Sequence, residues 1–201
     1  MKTFRLRAAA SFVLAGALVA GLAACSNDPL ASQYRAGDNK GYIAGDFAWK
    51  EYDAADQPRA VTFSGVLDSG AKVTSADYAG KVVVVNFWYA GCAPCRQEAP
   101  LLEKVYTSFA GEDVEFLGVN TYDQAETAQA FAKAHGVTYP SVMDADTKTV
   151  TAALVGVVPA GATPSTVIIG KDGRPTSRIV GEIESASILQ TLVQDALDGK
   201  P

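Results

Sequence analysis

Cys92 and Cys95 are the residues whose type and spacing point most directly to chemistry. They stand in Trp88-Tyr89-Ala90-Gly91-Cys92-Ala93-Pro94-Cys95-Arg96, where the apolar run Lys81–Trp88 gives way to helical periodicity. Two cysteines separated by two residues in a first helical turn bring their sulfurs close enough to bond. Unpaired N–H groups and the macrodipole at a helix start favour a thiolate at Cys92. The thiolate is the species that attacks a disulfide, so a lowered pKa raises the reactive fraction at neutral pH. Cys95, one turn in, should be the more buried and should resolve the mixed disulfide. Pro94 suits the early helical turn, where its missing N–H loses no partner.

Other chemistries of a cysteine pair fit less well. A purely structural disulfide between such near neighbours closes a tiny loop and stabilises little. A zinc site needs two further ligands, and His135, the single histidine, sits at the end of a different predicted helix. No metal and no other cofactor is therefore expected. A peroxidase of related architecture needs Thr three residues before its reactive cysteine, where Tyr89 precedes Cys92 and Cys92 precedes Cys95. A metal- or protein-binding lipoprotein without enzymatic activity is the alternative from a different class.

The elements that must position the pair follow from periodicity. Val61–Val66 alternates and meets Asp68-Ser69-Gly70, a strand and turn at the start of the head. The β-branched run to Trp88 has the composition of a strand buried on both faces. Leu101, Leu102, Val105 and Phe109 then share one face of a helix from Ala93 to Phe109, in which Pro100 should produce a kink. Val114–Asn120 reads as a second buried strand, and Ala125–Ala134 as a helix closed by Gly136. Thr166–Ile169 and Pro175–Val180, joined by Asp172-Gly173, read as an antiparallel hairpin. Ser185 caps a last amphipathic helix carrying Ile188, Leu189, Leu192 and Ala196. A βαβ unit followed by a ββα unit makes an α/β fold, a mixed central sheet flanked by helices, with an N-terminal β extension.

The N-terminus addresses location. Lys2, Arg5 and Arg7 precede an uncharged apolar run from Ala8 to Ala24, which suits an export signal better than a spanning helix. Leu22-Ala23-Ala24-Cys25 resembles a bacterial lipobox, which implies lipidation of Cys25. Residues 1–24 are thus expected to be a lipoprotein signal peptide, 25–45 a lipidated tether and 46–201 the folded domain. The tether has a random-coil reach of roughly 25 Å. The chain of 201 residues has a formal net charge of −5, which argues against a nucleic-acid partner. Removing residues 1–24 takes away only basic groups, so the lipid rather than charge would hold the protein at the membrane. The expected place is the outer face of the cytoplasmic membrane or the cell envelope.

Gly80–Trp88, Cys92-Ala93-Pro94-Cys95-Arg96-Gln97-Glu98-Ala99-Pro100 and Ala162-Thr163-Pro164-Ser165-Thr166 together resemble the TlpA/ResA family of membrane-tethered thioredoxin-like oxidoreductases. The similarity runs from about residue 60 to residue 197. It implies a thioredoxin-like fold, a Cys92 nucleophile, a resolving Cys95 and a cis proline at Pro164. An extended substrate would dock beside Pro164, with Thr163 and Trp88. The implied partners are an exported thiol or disulfide protein, apocytochrome c among the acceptors, and a transmembrane thiol electron donor. Departures from the pattern are informative. Asn86 stands where thioredoxins place a buried Asp, Gly91 replaces a frequent Trp, and Ala93 replaces the acidic residue of some cytochrome-maturation members. Glu98 is a candidate for proton transfer, although a charge on an early helical turn is ordinarily solvated. With Ala-Pro and no His between the cysteines, the couple is expected to lean towards a reductase.

Overall fold

The computed structural model describes residues 49–200; the expected signal segment, Cys25 and the tether lie outside the described residues. The strands are β1 (Trp49–Glu51), β2 (Ser64–Val66), β3 (Lys72–Thr74), β4 (Val82–Trp88), β5 (Val114–Asn120), β6 (Ser141–Met143), β7 (Ser165–Ile169) and β8 (Pro175–Val180). The helices are α1 (Ala93–Ser108), α2 (Ala125–His135), α3 (Thr149–Ala153) and α4 (Ala186–Leu197). Six strands form one sheet in the order β1-β8-β7-β4-β5-β6, while β2 and β3 form a separate hairpin. β5 runs parallel to both β4 and β6; β7 runs antiparallel to β4 and β8. This is a thioredoxin-like fold with a mixed sheet.

β4 is central, and all seven of its residues are buried. Its side chains alternate between two cores. Val82 and Val84 pack with Leu102 and Val105 of α1 and Leu189 and Val193 of α4. Val83, Val85 and Phe87 pack on the other face with Val61, Phe63, Val150 and Leu154. Each fully buried Val or Leu stabilises the fold by roughly 1.5–3 kcal/mol, so covering both faces strongly favours burial of this run. The hairpin expected at Asp172-Gly173 forms, with Gly173 at φ 80° and Gly170 N–H donating to the Arg174 carbonyl at 2.8 Å. Gly136 ends α2 in the left-handed region, at φ 70°.

Five short elements were not expected from sequence: β1, β3, β6, α3 and the 3-10 helix Ser75–Tyr78. Each spans only three to five residues, too few to display a period. The strand expected over Val61–Val66 is confined to Ser64–Val66 and pairs with β3 outside the main sheet. Val61 and Phe63 are nevertheless buried, from irregular backbone. Pro100 lies within α1, which runs through it from Ala93 to Ser108. No helix among the described residues is long and apolar enough to cross a membrane.

Candidate active site

β4 delivers the chain to the sheet edge, and α1 begins directly after the short loop Tyr89–Cys92. Cys92 is the N-cap of α1, Pro94 lies in its first turn, and Cys92 and Cys95 are joined by a disulfide. The Cys95 N–H points at the Cys92 sulfur, 3.2 Å away, where it would also stabilise a thiolate. In this oxidised form Cys92 is nearly as enclosed as Cys95, at 3% and 2% exposure. The expected contrast in burial is therefore small in the oxidised form.

Topology brings the proline to the end of β4, from which the cysteine loop departs. β7 begins antiparallel to the end of β4, with Ser165 opposite Phe87, so the residue before Ser165 lies beside the cysteine loop. The Thr163–Pro164 peptide is cis. Pro164 is buried and Thr163 half-buried, and the Pro164 carbonyl accepts from Gly181 N–H at 2.9 Å.

Glu98 corrects the expectation of a solvated charge: it is 2% exposed. Asn86 and Trp88 share a strand face with Val82 and Val84, the face turned to α1. One Glu98 oxygen accepts from Asn86 Nδ2 at 2.9 Å and the other from Ile183 N–H at 3.0 Å. Asn86 Nδ2 also donates to Thr166 Oγ1 at 3.0 Å. Burial raises the Glu98 pKa from 4.5 to about 7, against the two hydrogen bonds that lower it, with Glu182 adding a smaller upward push. Near neutral pH this carboxyl both accepts and releases a proton. It lies three residues after Cys95 on the same helix, a spacing that places the two on one face. A small enclosed space of about 10 Å³ beneath Cys95 reaches Asn86, Tyr139 and Ser141, about the size of one water.

Trp88 is also corrected. It is 6% exposed, its indole N–H donates to Ser141 Oγ at 3.1 Å, and its ring stacks on Phe131 at 4.4 Å. Trp88 thus floors the disulfide and offers no docking surface; even parity along β4 sends it inward. Two aromatic side chains nearby do reach solvent, Tyr89, half-buried, and Tyr122, 77% exposed, with ring centroids 5.8 Å apart. His135 stacks on Phe131 at 4.3 Å at the end of α2, away from the disulfide loop in sequence. Among the described residues no group of three or more His, Cys, Asp and Glu is placed to hold a metal.

Sequence reasoning missed Asp123. Its Oδ2 accepts from Ala90 N–H at 2.6 Å and from Asn120 Nδ2 at 2.9 Å. Asn120 Oδ1 in turn accepts from Tyr122 N–H and Asp123 N–H. The turn after β5 therefore clamps the loop that carries Cys92. The available signal was the parallel pairing of β4 and β5, whose carboxyl ends meet at one edge.

Residues 57–174 match the AhpC/TSA family model. The chain is 34% identical over 116 residues to the thiol-disulfide oxidoreductase ResA of Geobacillus thermodenitrificans, covering 58% of this chain and 64% of that protein. It spans just under two thirds of the length of this relative and of the ResA of Bacillus cereus, 64% and 62%. Among solved structures it is similar to a secreted thiol-disulfide isomerase from Corynebacterium glutamicum, with TM-score 0.69, 28% identity and 78% and 96% of the two chains covered. A DsbF homologue from Corynebacterium diphtheriae aligns with TM-score 0.67 and 32% identity over 77% and 96% of the two chains.

Proposed function

The chain belongs to the AhpC/TSA family and, within the thioredoxin superfamily, to the TlpA/ResA-like thiol-disulfide oxidoreductases, and on that premise we propose that it reduces disulfides of exported proteins through Cys92 and Cys95. The observation that carries this reading is the Cys92–Cys95 pair at the N-terminus of α1, beside the cis Thr163–Pro164 bond.

In the dithiol form the Cys92 thiolate attacks one sulfur of the substrate disulfide and releases the other as a thiolate, which takes up a proton. Cys95 then loses its proton and attacks the Cys92 sulfur, freeing the second substrate thiol. The substrate gains two electrons and two protons; the cysteine pair gives up both and closes its disulfide. Glu98, balanced near neutral pH behind Cys95, is suited to take the Cys95 proton. An extended substrate lies along Thr163 and Pro164, whose missing N–H leaves the edge open.

An extracytoplasmic location is supported by the apolar N-terminal run and by the secreted C. glutamicum relative. Lipidation at Cys25 of a 25–45 tether, after removal of 1–24, is the form we propose for its attachment. Electrons would come from a transmembrane thiol carrier. Ala93 stands where some cytochrome-maturation members carry an acid, which favours exported disulfide proteins generally over apocytochrome c as the substrate. Peroxide consumption is disfavoured by Tyr89 three residues before Cys92.

The test is Cys95→Ser, which leaves a mixed disulfide unresolved. Partners should be retained through Cys92, released by dithiothreitol and absent from the double Ser variant. A Cys95→Ser protein that retains no partner while the wild type still reduces disulfides would refute the Cys92 assignment.

A further inference from the structure

A groove of about 690 Å³ opens beside the disulfide loop, bounded by Tyr89, Tyr122, Lys148, Val155, Val158 and Thr163. Its size falls in the range of ligand sites. One end is Thr163, so the groove is continuous with the place where an extended substrate would meet Pro164. Its rim carries two of the most exposed apolar side chains among the described residues, Tyr122 at 77% and Val155 at 74%.

The charge of the groove is the opposite of the chain's. The protein carries a formal −5, yet Lys148 is the one charged residue lining this groove. Lys148 Nζ is steadied by the Thr121 carbonyl at 2.9 Å, which uses one of its three donors. The backbone singles out the same residue. Lys148, at φ 54°, is the only non-glycine residue with positive φ among the described residues. Asn or Gly would adopt that conformation at lower cost. The strain is held by Asp144, whose carbonyl accepts from Lys148 N–H at 3.0 Å and whose carboxylate accepts from Val150 and Thr151 N–H. Lys148 is thus the one charged residue lining an apolar groove beside the cysteine loop, in a backbone conformation that is costly for lysine.

We propose that this groove docks the segment flanking the substrate's reactive cysteine, seating an apolar side chain between Tyr122 and Val155 and an Asp or Glu carboxylate on Lys148. This rests on the oxidoreductase reading above and adds a sequence preference to it. The acidic chain as a whole favours a partner of neutral or positive charge, and a single local carboxylate on Lys148 then sets the register.

The test uses three synthetic peptides with the same internal disulfide and a flanking Glu, Gln or Lys, reduced by the stoichiometrically reduced protein. The Glu peptide should be reduced with a second-order rate constant about two- to fivefold above that of the Gln peptide, as expected for a solvent-exposed ion pair, and the Lys peptide should fall below both. The preference should shrink in high salt. Lys148→Asn, which suits the left-handed backbone, should erase it, and Lys148→Glu should invert it in favour of the Lys peptide. Equal second-order rate constants for all three peptides on the wild-type protein would overturn the groove assignment while leaving disulfide reduction standing. Failure to reduce any of them would instead count against the oxidoreductase reading. A preference that persists in Lys148→Asn would place recognition elsewhere.

Discussion

Replacing Glu98 by Gln tests the buried carboxyl directly. Glu98 ionises at about 7 in the folded protein, against 4.5 for an unperturbed carboxyl. The folded state therefore holds its proton more tightly than the unfolded chain. Stability from this group is fully present below pH 4.5 and is lost as pH rises through 7. Between pH 5 and pH 8 the loss amounts to roughly 2–3 kcal/mol. Gln is nearly isosteric and cannot ionise. Its oxygen can keep the Ile183 N–H, and its NH₂ then faces Asn86, whose amide can turn to present Oδ1 while the Thr166 hydroxyl reorients to donate. Urea unfolding of the oxidised wild type and Glu98→Gln, each at pH 5 and pH 8, isolates the effect, since other titrations are shared. The variant should gain on the wild type by roughly 2–3 kcal/mol from the lower to the higher pH. It should also lose any step near pH 7 in the rate of mixed-disulfide resolution. Stability curves that stay parallel across this range would refute the claim that burial, not the hydrogen bonds, dominates Glu98.

Three further changes probe the frame around the sulfurs. Asn86→Asp sets a second carboxyl against Glu98, whose oxygen lies 2.9 Å from the Asn86 side chain. The pair should then titrate in two steps, the higher one above the wild-type step, in the pH–rate profile. Gly118→Ala drives a methyl into Ser141 Oγ and to 2.8 Å from Trp88 Nε1. It should cost about 1–3 kcal/mol in thermal or urea unfolding, with a change in tryptophan fluorescence as the Trp88–Ser141 bond yields. Asp123→Ala leaves Ala90 N–H and Asn120 Nδ2 without their shared acceptor. It should cost about 1–3 kcal/mol in urea unfolding of the oxidised protein, and an unchanged midpoint would remove the clamp from the account of the cysteine loop.

Periodicity made the long elements legible. β4, β5, α1, α2 and the β7–β8 hairpin follow from unbroken apolar runs, a helical stripe, a closing glycine and an Asp-Gly turn, all local signals. The Cys92–Cys95 pair was legible because its spacing falls where a buried strand gives way to a first helical turn, which brings the two sulfurs together. What sequence alone left open depends on contacts between residues far apart in the chain. A glutamate on an early turn is solvated or buried according to what covers it, and here Asn86 and Ile183 do. Trp88 closes a run that reads as buried, yet only the folded sheet shows that its ring meets Phe131 and its N–H meets Ser141. Asp123 reads as a loop acid until β5 pairs with β4 and carries it to Ala90. Local patterning decides which segments are helix and strand and which sulfurs can meet. Desolvation, which sets whether Glu98 holds a proton at neutral pH, is a property of everything packed around it, and that exists only once the sheet and helices have closed.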